Sequence, residues 1–160
     1  MVQSYSADTK VNPPLRLTSD QEALIAGLCD GTIDAIATDH APHHRDEKEV
    51  EYNSALSGIS GFETAFALCM DALVHAHHMT MEEFVQVACT NPAKILGKNC
   101  GKLEVGRDAD FIIADIAEEW TVDRKKFVSK GKNTPFDGRT VHGRVLETYV
   151  GGKRIYKYED

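Results

Sequence analysis

The sequence predicts an α/β protein whose character changes near Gly97, and three observations support that prediction. Apolar residues recur at helical spacing before Gly97. Short strand-forming runs separated by turn residues dominate after it. The chain has 160 residues, whereas a complete eight-stranded α/β barrel takes ~250. We therefore expect an α/β part over residues 1–96 and an all-β part over residues 97–160, without a complete barrel.

Composition narrows the classes of protein to which the chain can belong. Apolar residues make up 42% of the chain and are spread along it, so intrinsic disorder is not expected. The net charge of −7 argues against nucleic acid or an anionic membrane as the main partner. No apolar run approaches the roughly 20 residues that span a bilayer. The N-terminal residues also lack the apolar core of a signal peptide.

The four cysteines include no C-x-x-C pair; they are Cys29, Cys69, Cys89 and Cys100. A disulfide scaffold would be denser in cysteine, and a structural zinc site would show paired spacing. We therefore expect reduced, mostly buried cysteines in a cytoplasmic protein.

The first elements are a helix, a strand and a loop. Thr18, Ser19 and Asp20 are N-cap candidates for a helix over residues 21–29, which Gly31 closes. The apolar run at residues 33–37 predicts a short strand. The polar segment 40–57 shows no periodicity and is long enough to be a functional loop.

Helices follow up to Gly97. Residues 62–74 predict a buried helix. Thr80 and Glu83 form a capping box for a helix that extends to about Cys89. Asn91-Pro92 opens one more helix, which ends at Gly97.

The remainder predicts β-structure. Residues 110–115 form an apolar run bounded by aspartates and predict a strand. Residues 144–150 and 153–158 flank Gly151-Gly152 and predict a hairpin with a two-residue turn. Residues 130–143 are rich in turn formers.

The clearest candidate for chemistry is Asp39, which follows the predicted strand and precedes three histidines within the next five residues. Catalytic side chains of α/β barrels project from the C-terminal ends of strands. A carboxylate there can ligate a divalent metal or transfer a proton. The alternative is a helix-capping aspartate beside solvated histidines.

Three further patterns are weaker. Two prolines hold Asn12 rigidly, which suits an amide that binds a carboxylate or a cyclic imide, although a linker between strand and helix explains the segment better on local evidence alone. Residues 58–64 enter a helix through glycines, and free N–H groups there suit an anion, although many helices begin after glycine. The H-x-H at His75 and His77 follows a predicted helix, where histidines complement the helix dipole without any metal.

Taken in order, these motifs resemble the C-terminal part of the dihydroorotases, cyclic amidohydrolases of the amidohydrolase superfamily. The matching stretches cover nearly the whole chain; they are KVNPPLR, IDAIATDHAPHH, GISGFETAF, NPAKILG, GKLEVGRDADFIIAD, SKGKNTPFDG and VHGRVLETYVGGKRIY. The resemblance implies the last part of a metal-dependent (β/α)8 barrel over residues 1–96. It implies strands of a small β-sandwich over residues 97–160.

The resemblance also implies an activity and its residues. The family interconverts L-dihydroorotate and N-carbamoyl-L-aspartate in pyrimidine synthesis and uses one or two zinc ions. Asp39 matches the family's aspartate, which ligates metal and moves the proton. Asn12 and His43 match positions that bind the substrate around its carboxylate. Ser57 and Gly58 match a loop that contacts the substrate ring, although many relatives have an aromatic residue where Ser57 stands.

The family's remaining metal ligands have no counterpart in this sequence. They are an H-x-H, a carboxylated lysine and two histidines, all upstream of KVNPPLR in the family. One carboxylate cannot hold a catalytic zinc, which typically takes three protein ligands. We therefore expect the chain alone to bind no catalytic metal and to be inactive.

Other interpretations remain open. Dihydropyrimidinase and allantoinase share the family fold and the aspartate. A non-catalytic dihydroorotase-like scaffold that partners aspartate transcarbamoylase is another alternative, and an independent binding module a third. In every enzymatic interpretation the partner is a small-molecule substrate, and we expect a homo-oligomer. A barrel strand without neighbours exposes unpaired backbone groups, so we expect the chain to self-associate or its barrel-derived half to be poorly ordered.

Overall fold

The structure is a computed structural model that describes residues 5–159. Its first long helix, α1, spans Thr18–Asp30 and ends at Gly31, whose φ of +80° is the left-handed conformation predicted for a helix-closing glycine. The predicted cap is wrong in detail. Leu17 is the N-cap, and its N–H donates to the Asp20 carboxylate over 3.0 Å. Because Asp20 lies inside the first turn, its charge also complements the helix dipole.

Residues 33–37 do not form the predicted strand. Ile33 donates its N–H to the carbonyl of Gly27 over 2.8 Å, and Ile36 donates to that of Val87 over 3.1 Å. A strand requires a ladder with a neighbouring strand, and residues 5–159 supply none here. The sole pairing nearby is an isolated parallel bridge between His40 and Ile59.

The predicted loop and the helix after it have more local structure than the sequence indicates. The loop contains a short helix, α2, at Arg45–Lys48. The next helix, α3, spans Ala65–Cys69 and continues as a wider π-helical segment at Met70–His75. It begins three residues after the predicted start because residues 61–64 form a turn, in which Thr64 N–H donates to Gly61 O over 3.2 Å.

The Thr80 capping box is confirmed. Thr80 N–H donates to the Glu83 carboxylate over 2.7 Å, and Glu83 N–H donates to the Thr80 hydroxyl over 3.2 Å. This box opens α4 at Met81–Val85. A π-helical segment at Gln86–Thr90 joins α4 to α5 at Asn91–Ile95. No helix among the described residues is long and apolar enough to cross a membrane.

The C-terminal part is a three-stranded antiparallel sheet in the order β1-β2-β3. The strands are Phe111–Thr121, Thr140–Val150 and Lys153–Lys157. The hairpin through Gly151-Gly152 is confirmed, with Val150 opposite Lys153. β1 and β2 are longer than predicted because their ends pair with each other across irregular register shifts.

Two apolar clusters hold these elements together. The first consists of Met70, Leu73, Met79, Phe84 and Val87. The second consists of Ala67, Val122, Phe127 and Val141. The second cluster joins α3 to β2, so the loops between them are anchored at both ends.

The cysteines are free, but the expectation that most are buried is wrong. Cys29 and Cys89 are exposed, and Cys69 and Cys100 are partly buried. Cys29 is in the last turn of α1, where its thiol donates to the carbonyl of His78 over 3.3 Å, and Cys89 is in the π-helical segment before α5.

Candidate functional site

Asp39 lies on the surface at the end of the segment that follows α1. Its φ is +46°, a conformation that aspartate tolerates better than most non-glycine residues. Among residues 5–159, no hydrogen bond or ion pair joins Asp39 to the other candidate site residues. Its carboxylate is therefore available to bind a ligand.

His40 fixes the backbone directly after Asp39. Its Nδ1 accepts the N–H groups of Gly61 and Phe62 over 3.0 and 3.2 Å, so Nδ1 carries no proton. Its ring stacks on Phe62 at a centroid distance of 4.0 Å. The predicted anion site at this helix entry is therefore wrong for these two N–H groups, because His40 occupies them.

His43, Ser57 and Gly58, three of the candidate substrate-binding residues, lie in contact with one another. His43 Nε2 lies 2.9 Å from the Ser57 carbonyl oxygen, so Nε2 carries the proton and donates it. A Cβ on Gly58 would lie 2.8 Å from that same Nε2 and 2.7 Å from Ala41 Cβ. The histidine therefore rests against glycine backbone, where no side chain fits.

Asn12 is exposed and is distant along the chain from His43. Gly58 N–H donates to the carbonyl of Lys10 over 2.9 Å, which holds the segment before Asn12 against the Gly58 loop. The same hydrogen bond leaves the Asn12 side chain outside the protein interior. No described hydrogen bond joins Asn12 to His43.

Lys48 is a site residue that the sequence analysis missed. It is only 5% exposed. Its Nζ donates to the carbonyls of Leu56 and Gly58 over 2.9 and 3.1 Å, the two residues on either side of Ser57. Burial lowers the pKa of the Lys48 ammonium; the charge of Asp8 opposes that shift and Lys10 adds to it.

Asn133 is the second missed residue. It is 5% exposed, and its side-chain N–H groups donate to the carbonyls of Ala41 and Gly58 over 3.0 Å each. Its side-chain oxygen accepts the His43 N–H over 3.0 Å. Residues in a turn-rich segment are expected on the surface, so the local sequence pattern did not indicate that Asn133 is buried. Its place inside the matching stretch SKGKNTPFDG is the one signal that could have indicated it.

An open cleft of about 820 Å³ lies on one side of the cluster. His43, Lys48 and Asn133 line it, together with Arg124, which bonds to Asp8 over 3.0 Å. Asp39 does not line it. Of the four substrate-binding candidates, only His43 lines the cleft.

The described residues do not fit a catalytic zinc on their own. No group of three or more His, Cys, Asp or Glu side chains within residues 5–159 is arranged to hold a metal ion. His75 belongs to the helix end, where its Nε2 lies 2.9 Å from the Ile116 carbonyl. Because a carbonyl accepts, that nitrogen donates a proton and is not available as a ligand.

Comparison with known sequences identifies relatives along the whole chain. The profile of the Amidohydrolase family matches residues 6–155. The chain is 52% identical over 155 residues to the dihydroorotase of Acetivibrio thermocellus, covering 97% of this chain and 36% of that protein. It is 53% identical over 156 residues to the dihydroorotase of a Thermoanaerobacter species, covering 98% and 36%. The chain thus spans little more than a third of the length of these curated relatives.

Solved structures share the same fold. The L-hydantoinase (dihydropyrimidinase) of Arthrobacter aurescens matches with a TM-score of 0.91 and 32% identity, over 98% of this chain and 36% of that one. The D-hydantoinase (dihydropyrimidinase) of a Thermus species matches with a TM-score of 0.85 and 27% identity, over 94% and 34%. These matches confirm the predicted α/β class with an incomplete barrel. The chain belongs to the amidohydrolase family.

Proposed function

We propose that this chain carries one part of the active site of a dihydroorotase, which interconverts L-dihydroorotate and N-carbamoyl-L-aspartate in pyrimidine synthesis. The observation that carries the proposal is the contact of His43 Nε2 with the Ser57 carbonyl over 2.9 Å, directly above Gly58. These are the positions at which the resemblance to dihydroorotases puts substrate contacts. Identity of about half to named dihydroorotases supports the same assignment.

Each candidate residue has a role suited to its chemistry. Asp39 accepts and returns the proton that passes between the attacking water and the ring nitrogen. Asn12 supplies amide donors for the substrate carboxylate, and His43 donates to it after its Nε2 proton leaves the Ser57 carbonyl. Ser57 and Gly58 present backbone groups to the ring, and the missing side chain of Gly58 leaves room for His43 Nε2, which lies 2.8 Å from the position of an added Cβ.

Zinc is the proposed cofactor, with one or two ions in the complete enzyme. Among the described residues, Asp39 is the sole candidate ligand. The other ligands would come from elsewhere in the complete enzyme, because residues 5–159 hold no group of three side chains arranged to bind a metal ion. We therefore assign no step to the metal here.

We propose a cytoplasmic location and a homo-oligomeric assembly. The four free cysteines support the location, since disulfides are rare in reducing compartments. Exposed apolar side chains on the helices and directly beside them support assembly; they include Leu17, Leu24, Phe62, Ile95 and Leu96. Aspartate transcarbamoylase remains the proposed partner only if the complete protein lacks the other metal ligands.

A chimeric enzyme tests the proposed activity. This chain replaces the matching segment of the Acetivibrio thermocellus dihydroorotase, and the chimera is assayed with N-carbamoyl-L-aspartate, dihydrouracil and allantoin. We expect turnover of N-carbamoyl-L-aspartate alone, and its loss on Asp39→Asn. A folded chimera that retains zinc but does not cyclise this substrate, beside an active parent enzyme, would refute the proposal.

The second candidate function is that of a hydantoinase or dihydropyrimidinase. The TM-score of 0.91 with the Arthrobacter aurescens enzyme favours it. Turnover of dihydrouracil in place of N-carbamoyl-L-aspartate would establish this alternative.

A further inference from the structure

Asn133 links two loops that are distant in sequence. Its side-chain amide donates to Ala41 O and Gly58 O over 3.0 Å each, and its side-chain oxygen accepts the His43 N–H over 3.0 Å. The Ser60 hydroxyl lies 2.9 Å from that oxygen and 2.9 Å from Gly131 O, so it shares one proton between them. The Asn133 carbonyl also accepts the Ser60 N–H over 2.8 Å.

The side chain has no hydrogen-bonding capacity left for solvent. A primary amide offers two donors and one carbonyl oxygen, and all of them are used within a residue that is 5% exposed. Aspartate and serine lack the pair of N–H donors that this arrangement needs, and the glutamine side chain is one methylene group too long. The positions of the partner groups on the two loops therefore require asparagine here.

The contacts fall on the candidate substrate-binding residues themselves. Asn133 bonds the backbone N–H of His43 and the backbone carbonyl of Gly58, and these residues meet at His43 Nε2. Lys48 also donates to Gly58 O, but neither of its hydrogen bonds reaches the His43 loop. His43 Nε2 also bonds Ser57 O, and His40 Nδ1 bonds Gly61 N–H, but both histidines belong to one of the two loops. Asn133 lies outside both loops, and its side chain bonds each of them.

We propose that Asn133 is a positioning residue that sets the distance between His43 and the Ser57-Gly58 backbone, and so the shape of the substrate-binding part of the site. The proposal rests on the proposed function for its kinetic consequence. Its structural consequence, a coupling between the two loops through one amide, can be measured without any turnover.

Hydrogen exchange on the 160-residue chain tests the coupling. Asn133→Ala removes all the side-chain bonds, so the His43 N–H loses its acceptor and the Gly58 carbonyl loses one of its donors. The Gly58 N–H donates to Lys10 O over 2.9 Å and reports the loosening of its loop, so we expect faster amide exchange at both His43 and Gly58. Asn133→Asp keeps the acceptor for His43 N–H but loses both donors, so exchange should increase at Gly58 while His43 stays protected. The matched control is Thr134→Val, because Thr134 is equally buried and its hydroxyl accepts only from Phe136 N–H, over 3.3 Å.

Exchange in the β2–β3 hairpin reports whether each variant is folded. Loss of hairpin protection in both Asn133 variants would overturn the proposal, because Asn133 would then serve folding in general. Equal exchange at His43 in the alanine and aspartate variants would overturn it too, since the acceptor oxygen would have no role of its own.

Steady-state kinetics on the chimera test the consequence for binding. Since His43 and Gly58 are proposed to bind substrate, Asn133→Ala should raise KM about 10-fold and leave kcat within about 3-fold. Thr134→Val should change neither constant. An unchanged KM in an active chimera would overturn the positioning role. An inactive wild-type chimera would instead refute the proposed function, and the exchange experiment would still decide the coupling.

Discussion

Replacing Gly58 by alanine should destabilise the protein by about 4 kcal/mol, a value that comes from two contributions. Gly58 has a φ of +151°, and a non-glycine residue held in such a conformation costs about 1–3 kcal/mol. The added methyl group would lie 2.8 Å from Ala41 O, which is backbone, and 2.7 Å from Ala41 Cβ. Such overpacking costs about 1–3 kcal/mol. The middle of each range is about 2 kcal/mol, so the backbone conformation and the overpacking together cost about 4 kcal/mol.

Gly31→Ala separates the two contributions. Gly31 also has a positive φ, +80°, but nothing lies within 4 Å of the position that an added Cβ would take. We therefore expect a cost of about 1–2 kcal/mol from backbone conformation alone. The difference of about 2 kcal/mol should lower the urea midpoint of Gly58→Ala by about 1 M relative to Gly31→Ala.

Urea unfolding followed by Trp120 fluorescence measures both variants on the 160-residue chain. The Gly58 substitution should also move the His43 ring, because the methyl group would lie 2.8 Å from Nε2. Equal midpoints for the two variants would refute the reasoning, since the close approach of Gly58 to Ala41 would then carry no energetic cost.

The remaining predictions concern charge, capping, metal and assembly. Burial lowers the pKa of Lys48, so the folded state releases that proton before the unfolded state does, and stability should rise with pH. The stability advantage of the wild type over Lys48→Met should therefore grow as the pH rises towards the ordinary lysine pKa of about 10.4 in urea titrations. Thr80→Ala should cost about 1 kcal/mol by removing the capping box, whereas Thr18→Ala, outside any cap bond, should be nearly neutral. The purified chain should show no stoichiometric zinc by elemental analysis and no turnover, and one zinc per chain with turnover would contradict this. Sedimentation should show self-association, and a monodisperse monomer with protected amides at residues 33–37 would contradict that.

Elements whose signals are local could be predicted from the sequence. The Thr80-Glu83 box and the Gly151-Gly152 hairpin each depend on residues within a few positions of one another. Gly31 closes its helix for the same reason, because only the local backbone angle matters. The similarity of the motifs to dihydroorotases also indicated the fold class correctly.

Features that depend on distant residues were not predictable in this way. The strand expected at residues 33–37 needs a ladder partner, and its apolar pattern says nothing about whether one is present. Lys48 has the pattern of a solvated loop charge until Leu56 and Gly58 fold over it. Asn133 has the pattern of a turn residue because its partners are 75 to 92 positions away.

The bond between Asn133 and His43 also has a consequence for the order of events during synthesis. Ninety positions separate the two residues, and a ribosome needs roughly 5–20 s to add that many. During this interval the His43 loop and the Gly58 loop exist without the amide that joins them. The arrangement of the two loops is therefore completed only after Asn133 has been synthesised. It depends on contacts between residues that are distant in sequence, and such contacts form slowly in folding. A nascent chain arrested before Asn133 should leave both loops open to protease, and release past it should protect them together.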